Sequence, residues 1–252
     1  MKKKRLDQLI AFLSEHTTVT IQELADQFNL STMTIRRDLK ELEKMDLVRR
    51  SQGVVTFNTF ENVEMDYNIR WQTNLQYKQK IAQQAREWIK NGDTILLDSG
   101  TTTCCLAKEL YDFQDLTVIT NDLNILKILL NYEHLTVIFA GGNVGLSSGM
   151  RVCSGYYTQE FLKQFRVNTA FIGVMSLDME AGLFHSTADL ALTKKEMVGI
   201  ANRKIVLVDN SKFNKRTSFK ICDIQEIDHI ITNRFEKENK PLFSENIDIT
   251  YV

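Results

Sequence analysis

The 252-residue sequence predicts an α/β protein in two parts: a small N-terminal winged helix–turn–helix unit and a larger, mostly parallel α/β domain. Three patterns predict it. Three short amphipathic helical segments fill the first 44 residues, two β-prone runs follow around Ser51-Gln52-Gly53, and from residue 77 helical segments alternate with short, wholly apolar runs. Composition is that of a globular chain, 43% hydrophobic and 25% charged, with one Pro. Lys+Arg 31 against Asp+Glu 32 excludes a histone-like polyelectrolyte. No apolar run approaches the ~20 residues that span a bilayer, and the basic start Met1–Arg5 leads into a helical pattern rather than a signal-peptide core. Cys104, Cys105, Cys153 and Cys222 form no C-x-x-C pair, and a chain of this length does not need disulfides. The expectation is a cytoplasmic protein with reduced cysteines, no membrane segment and no cofactor.

In the first unit, assigned to residues 1–57, Leu6, Leu9, Ile10 and Leu13 share one helix face, and Ile21, Leu24, Ala25 and Phe28 repeat the pattern. Thr20 and Glu23 form a T-x-x-E capping box ahead of the second helix. Asn29-Leu30 is a tight connection, and Ser31 N-caps a third helix whose inward stripe is Ile35, Leu39 and Leu42. At 100° per residue Met33, Arg37, Lys40 and Lys44 fall opposite Ile35, with Arg36 to the side and Thr32 in the first turn. Charges on a lone helix usually serve only solvation. After a helix and a turn of this size, the same face suits the major groove of double-stranded DNA: Arg pairs with guanine, while Thr and Met reach thymine methyls. The candidate DNA-binding residues are Ser31, Thr32, Met33, Thr34, Arg36, Arg37 and Lys40. The hairpin that follows reads as a wing, with Arg49 and Arg50 placed for phosphates.

Residues 58–76 show no sustained period. Glu61, Glu64 and Asp66 make them acidic, and they read as a linker. Beyond them, in residues 77–252, Tyr77–Asn91 is a helix closed by Asn91-Gly92. Ile95–Leu97, Thr117–Thr120, Leu135–Ala140, Thr169–Val174, Ile205–Val208 and His229–Thr232 read as buried strands of a sheet covered on both faces. Ligands of such sheets bind beyond the carboxyl ends of the strands. There, Asp98-Ser99-Gly100-Thr101-Thr102-Thr103 leads into a helix, and its hydroxyls and helix N-terminal N–H groups suit a phosphate. The spacing is not that of a P-loop, and a plain Thr-rich helix cap is the competing reading. Thr120-Asn121, Gly141-Gly142, Gly173 and Asp209–Phe213 close other strands. Lys212 offers a positive charge, and Asp98 or Asp209 could accept sugar hydroxyls.

These motifs resemble the DeoR family of bacterial transcriptional regulators. Arg5, Leu9, Leu13 and the run Ser31-Thr32-Met33-Thr34-Ile35-Arg36-Arg37-Asp38-Leu39 are similar to the family's DNA-binding signature. Leu97–Thr103, Thr120-Asn121, Gly141-Gly142, Ala170–Val174 and Val208–Phe213 follow the order of its C-terminal sensor domain. The resemblance implies a sensor similar in fold to ribose-5-phosphate isomerase, a phosphorylated sugar as effector, and control, by repression, of a sugar-metabolism operon. It implies effector contacts at Asp98, Ser99, Gly100, Thr101, Thr102, Thr103, Asn121, Gly141, Gly142, Gly173, Asp189, Lys194 and Lys212. The chain departs from the family pattern at Ser51-Gln52, Asn168, Met175-Ser176 and Asp189, and the last four positions are expected to bear on which sugar fits.

Three other readings compete. A sugar-phosphate isomerase-like enzyme needs a placed acid and base, and Gly173-Val174-Met175-Ser176 offers no carboxylate, so binding without turnover is expected. Gly145-Leu146-Ser147-Ser148-Gly149 fits the hydrolase pattern G-x-S-x-G without the strand-to-helix context. An architectural DNA-binding protein would leave the large domain without a ligand. His16, His134, His185 and His229 are too scattered for a metal site. Partners are therefore expected to be operator DNA, a phosphorylated sugar and further copies of the chain, as dimer or tetramer.

Overall fold

A computed structural model describes residues 2–16, 18–44, 47–51, 53–57, 66–147, 149–235 and 247–252. Gln52 of the wing tip, Glu61 and Glu64 of the connection, Ser148 of the G-x-S-x-G match and the side chain of Lys44 lie outside them. The chain forms two compact units, Met1–Phe60 with Asn68–Asn74, and Glu61–Tyr67 with Leu75–Val252.

The smaller unit holds α1 (Lys2–Glu15), β1 (Thr18–Thr20), α2 (Ile21–Gln27), α3 (Thr32–Lys44), β2 (Val48–Ser51) and β3 (Val54–Phe57). Its core is the set of stripes legible in the sequence: Leu9, Leu13, Leu24, Ile35, Leu39 and Leu42 are completely buried. The capping box starts α2, with the Glu23 N–H donating to Thr20 Oγ1 and the Thr20 N–H to Glu23 Oε2. Ser31 Oγ accepts the Thr34 N–H at 3.2 Å, which caps α3. β2 and β3 pair antiparallel about Gly53 at φ +83°, and β1, absent from the sequence reading, joins β3 to complete a three-stranded sheet. One buried charge ties the helices together. Arg5 Nε and Nη2 donate to the two oxygens of Asp38 at 2.6 and 2.9 Å, and Asp38 is fully enclosed.

The stretch read as a linker contains a helix, α4 (Tyr67–Gln72), in which Ile69 is buried and the Thr73 hydroxyl donates to the Ile69 carbonyl at 2.9 Å. Six residues are too few to register as a period. α5 (Leu75–Arg86) starts earlier and ends earlier than expected. Past Arg86 the chain tightens into i→i−3 bonds, such as the Ile89 N–H to the Arg86 carbonyl at 3.0 Å, so Ile89 stays buried without extending the α-helix.

The larger unit continues through β4 (Thr94–Leu97), α6 (Thr101–Lys108), β5 (Thr117–Thr120), α7 (Leu123–Leu129), β6 (Thr136–Phe139), β7 (Asn143–Ser147), β8 (Met150–Ser154), α8 (Tyr156–Leu162), β9 (Val167–Gly173), β10 (Ser176–Asp178), β11 (Gly182–His185), α9 (Ala188–Gly199), β12 (Ala201–Leu207), β13 (Phe219–Cys222), β14 (His229–Thr232) and β15 (Asp248–Tyr251). All six expected strands are present. With β15 they form a seven-stranded parallel sheet in the order β15-β14-β12-β9-β4-β5-β6. Ile95, Leu96, Leu97, Val118, Phe171, Ile205 and Ile230 are buried within it, as strands covered on both faces require. β10, β11 and β13 make a separate antiparallel sheet, and β7 pairs with β8. These short, mixed-polarity strands carry no strong period, and the sequence reading missed them. The G-x-S-x-G match falls on that hairpin, with Gly145 opposite Val152 and Ser147 opposite Met150. A hairpin end is not a strand-to-helix elbow, so the hydrolase reading lacks its required context.

Among the described residues no helix is long and apolar enough to cross a membrane, no group of His, Cys, Asp and Glu is placed to hold a metal, and all four cysteines are free and buried. Gly182 turns β10 into β11 at φ +108°, and a Cβ there would lie 2.1 Å from the Cys222 carbonyl oxygen. Backbone cannot yield as a side chain can. Gly182→Ala is therefore expected to destabilise the larger unit by about 1–3 kcal/mol in urea unfolding, whereas Gly92→Ala, with open space around it, pays only for its backbone angle.

Candidate functional site

In the smaller unit α3 turns Ile35 and Leu39 inward and leaves Thr32, Met33, Arg36, Arg37 and Lys40 in solvent. Met33 is 80% exposed, unusual for so apolar a side chain. Ser31 is exposed as well, while Thr34 is half-buried and its hydroxyl lies 2.9 Å from Ser31 Oγ, so both serve the cap at the end that would meet bases. The two wing arginines part company. Successive strand residues point to opposite faces, so Arg49 is exposed, whereas Arg50 faces α3 and donates to the Glu43 carboxylate and, at 3.5 Å, to the Arg36 carbonyl. That guanidinium holds the Glu43 carboxyl below its usual range. Arg50 braces the wing against α3, while Arg49 points into solvent.

In the larger unit the strand order reverses between β4 and β9: the chain runs from β4 outward through β5 and β6, then returns to β9 on β4's other side. Loops leaving two such strands diverge and open a crevice at their carboxyl ends. Asp98 follows β4 and is fully buried there. Its Oδ1 accepts the Ser99 N–H at 2.7 Å, and its Oδ2 accepts the Gly173 N–H at 2.9 Å and the Lys194 ammonium. Lys194, reaching down from α9 and 2% exposed, also donates to the Gly173 carbonyl at 3.0 Å. A Cβ on Gly173 would meet the Ser99 carbonyl oxygen at 3.2 Å, so a glycine suits this close approach. Asp98, Ser99, Gly173 and Lys194 are brought together, but Asp98 and Lys194 spend their bonding on each other and on the backbone. This corrects the expectation that Asp98 accepts sugar hydroxyls.

The Thr-rich loop rises beside this pair. Gly100, at φ +156°, caps α6, and Thr101, Thr102 and Thr103 are buried in its first turn, with the Thr103 hydroxyl donating to the Gly100 carbonyl at 2.9 Å. Across β5, Asn121 is 1% exposed and donates Nδ2–H to the Cys153 carbonyl at 2.8 Å. Gly141 and Gly142 close β6, two strands or about 10 Å from β4. A Cβ on Gly142 would sit 2.1 Å from Thr158 Oγ1, so this residue lets the chain pass close over α8. Lys212 lies in a one-turn 3₁₀ helix after β12, equally far on the other side, where Asp209 Oδ1 accepts the Ser211 N–H at 3.1 Å.

Two expected residues are placed elsewhere. Asp189 is exposed in the first turn of α9, and it is Leu190, four residues before Lys194, that shares the lysine's inward face. Asn168 lies near the amino end of β9, where its Oδ1 accepts the Thr94 N–H at 2.8 Å, remote from the strand ends that form the crevice. Its place is thus that of a β4–β9 brace rather than of a crevice-lining residue.

A DeoR-like helix-turn-helix domain model matches residues 5–61, and a DeoR C terminal sensor domain model matches residues 73–234. The chain belongs to the DeoR family. It is a DNA-binding transcriptional regulator of α/β fold. It is 32% identical over 232 residues to a putative aga operon transcriptional repressor of Escherichia coli O157:H7, covering 91% of this chain and 86% of that protein. It is 29% identical over 230 residues to the glycerol-3-phosphate regulon repressor of Escherichia coli K12, covering 91% and 90%. Among solved structures, ribose 5-phosphate isomerase A of Methanocaldococcus jannaschii is similar over 56% of this chain and 55% of that one, at 21% identity and a TM-score of 0.41.

For this DeoR-family chain the sequence reading missed Asp122, whose carboxyl accepts the Gly100 N–H at 3.3 Å and the Asn124 N–H at 2.7 Å. An Asp directly before an apolar helix is an N-cap signal and could have been noticed. Its bond to a loop 22 residues away could not. The Asp98–Lys194 pair yields a stability prediction. Lys194→Met strands a buried carboxylate and is expected to cost about 3–5 kcal/mol, while Asp98→Asn combined with Lys194→Met recovers a large part of that loss. Urea titration of the single and double variants measures both.

Proposed function

We propose that this chain is a cytoplasmic repressor of a sugar-metabolism operon, that residues 1–57 bind operator DNA, and that residues 77–252 bind a phosphorylated sugar that modulates this binding. One observation carries the effector half: the strand order reverses between β4 and β9 beside a Thr-rich helix N-terminus, the place where sheets of this kind bind ligands, in a domain matched by a sensor model. On this reading Ser31, Thr32, Met33, Thr34, Arg36, Arg37 and Lys40 form the base-reading end of α3, and Arg49 meets a phosphate. Ser99, Gly100, Thr101, Thr102 and Thr103 take the ligand phosphate. Asn121, Gly141, Gly142 and Lys212 line the flanks, and Asp98, Gly173 and Lys194 hold the crevice floor.

The chain binds its effector without turning it over. Asp98 and Lys194 are engaged with each other beside the loop, and Gly173-Val174-Met175-Ser176 carries no carboxylate to serve as the placed base that isomerisation needs. Its relatives' names, repressors of an aga operon and of a glycerol-3-phosphate regulon, support a regulator over an isomerase. A homo-oligomer, dimer or tetramer, follows from the way helix–turn–helix proteins present two recognition helices about 34 Å apart to two half-sites.

The two halves separate experimentally. Arg37→Ala is expected to weaken operator binding by about 1–3 kcal/mol in a gel-shift titration and to leave sugar-phosphate binding unchanged. Thr102→Val is expected to abolish the response to the effector while operator binding by the ligand-free protein persists. Loss of both activities in either variant would mean the roles of the two units are wrongly divided. Release of DNA on adding the effector, followed in the same titration, tests the sign of regulation.

A further inference from the structure

Asp122 joins the N-termini of two helices. Its Oδ1 accepts from the first turn of α7, and its Oδ2 accepts the Gly100 N–H that opens the Thr-rich loop of α6. The side chain is fully buried, and among the described residues no cation pairs with it, in contrast to Asp98. Its neighbour Asn121 is 1% exposed and keeps a buried Oδ1 without a hydrogen-bond partner. A carboxyl thus sits at the edge of a loop that, on the reading above, receives an anion, and it already holds one of the N–H groups a phosphate would use.

We propose that Asp122 is a specificity-determining residue of the crevice: its carboxylate competes with the ligand for the Gly100 N–H and opposes a dianion in the Thr-rich loop, so an anionic ligand binds together with a proton on Asp122. The proposal rests on the crevice being an anion site. Two like charges so close inside a protein interact far more strongly than in water. The proton goes to a carboxyl oxygen and leaves the ligand's own bonds untouched.

Other ionisable groups flank Asp122 from the end of β4 and from α6, α7 and β8. Asp98 is paired with Lys194. Cys104 of α6, bonded to the Tyr67 hydroxyl, and Cys153 beside Asp122 on β8 are thiols pushed up by burial. Arg151 of β8 and Lys127 of α7 are exposed. Burial raises the Asp122 carboxyl above its ordinary range, Asp98 adds to the rise, and the N–H groups of Asn124, Gly100 and Ile125 partly offset it.

Sulfate is the suitable probe, because it stays a dianion across the range in which a phosphate ester titrates, near pH 6. Calorimetric titration of the full chain with sulfate, at constant ionic strength, compares about pH 5.5 with about pH 8. The wild type is expected to bind about tenfold more weakly at the higher pH. Asp122→Asn keeps a good N-cap and removes the charge. It is expected to bind about tenfold more tightly than wild type at the higher pH and to show little pH dependence. Asp122→Ser, also a good cap, serves if the Asn variant does not fold. The same pH slope in wild type and variants, or weaker binding in the variants, overturns the role of Asp122 and leaves the anion site standing. No sulfate uptake by any of the proteins at either pH overturns the anion site and this inference together.

Discussion

A lysine and an aspartate taken out of water together hold the larger unit's crevice in shape. Asp98 ends β4, Lys194 comes from α9, and Gly173 ends β9, so their bonds stitch together three segments where the strand order reverses. Neither charge is tolerable alone at this depth. The Thr-rich loop begins one residue after Asp98, so the geometry of that pair sets where the first turn of α6 points. The loops that leave the strand ends at this reversal are therefore fixed from beneath by an ion pair.

The smaller unit uses the same device on another scale. Asp38 is buried between α1 and α3 and is gripped through both oxygens by Arg5. The bidentate geometry fixes the rotation of α3 about its axis as well as its position, and that rotation decides which side chains reach solvent. Arg36, Arg37, Lys40 and Met33 project outward because Ile35, Asp38, Leu39 and Leu42 are held inward. Arg50 adds a brace from the wing through Glu43. In both units a fully buried carboxylate, Asp38 or Asp98, is held by a cation from a segment distant in the chain.

Negative charge is distributed unevenly around the crevice. Asp98 is neutralised in place, Asp189 lies in solvent, and Asp122 is buried among backbone N–H groups with no cation paired to it among the described residues. On the proposed reading of the crevice as an anion site, a carboxyl retained beside it lets the site discriminate by charge as well as by shape.

Much of this protein was determined locally and could be read from one chain. The 3.6-residue stripes of α1 to α3, the Thr20–Glu23 box, the six apolar strand runs and the loop after β4 are properties of neighbouring residues, so the winged unit, the parallel sheet and the Thr-rich loop were all legible. Short or mixed segments such as α4, β1, β10 and the β7–β8 hairpin were not, because each is too short or too mixed in polarity to carry a period of its own. The same distinction runs through the site. That Asp98 and Lys194 spend their charges on each other across 96 residues, that Arg50 turns inward while Arg49 does not, that Asn168 lies at the wrong end of its strand, and that Asp122 touches Gly100 were decided only by tertiary packing. A sequence shows which residue types could serve a site, but a buried charge takes its role from whatever the fold sets within 3 Å of it, and that neighbour is rarely close in the chain.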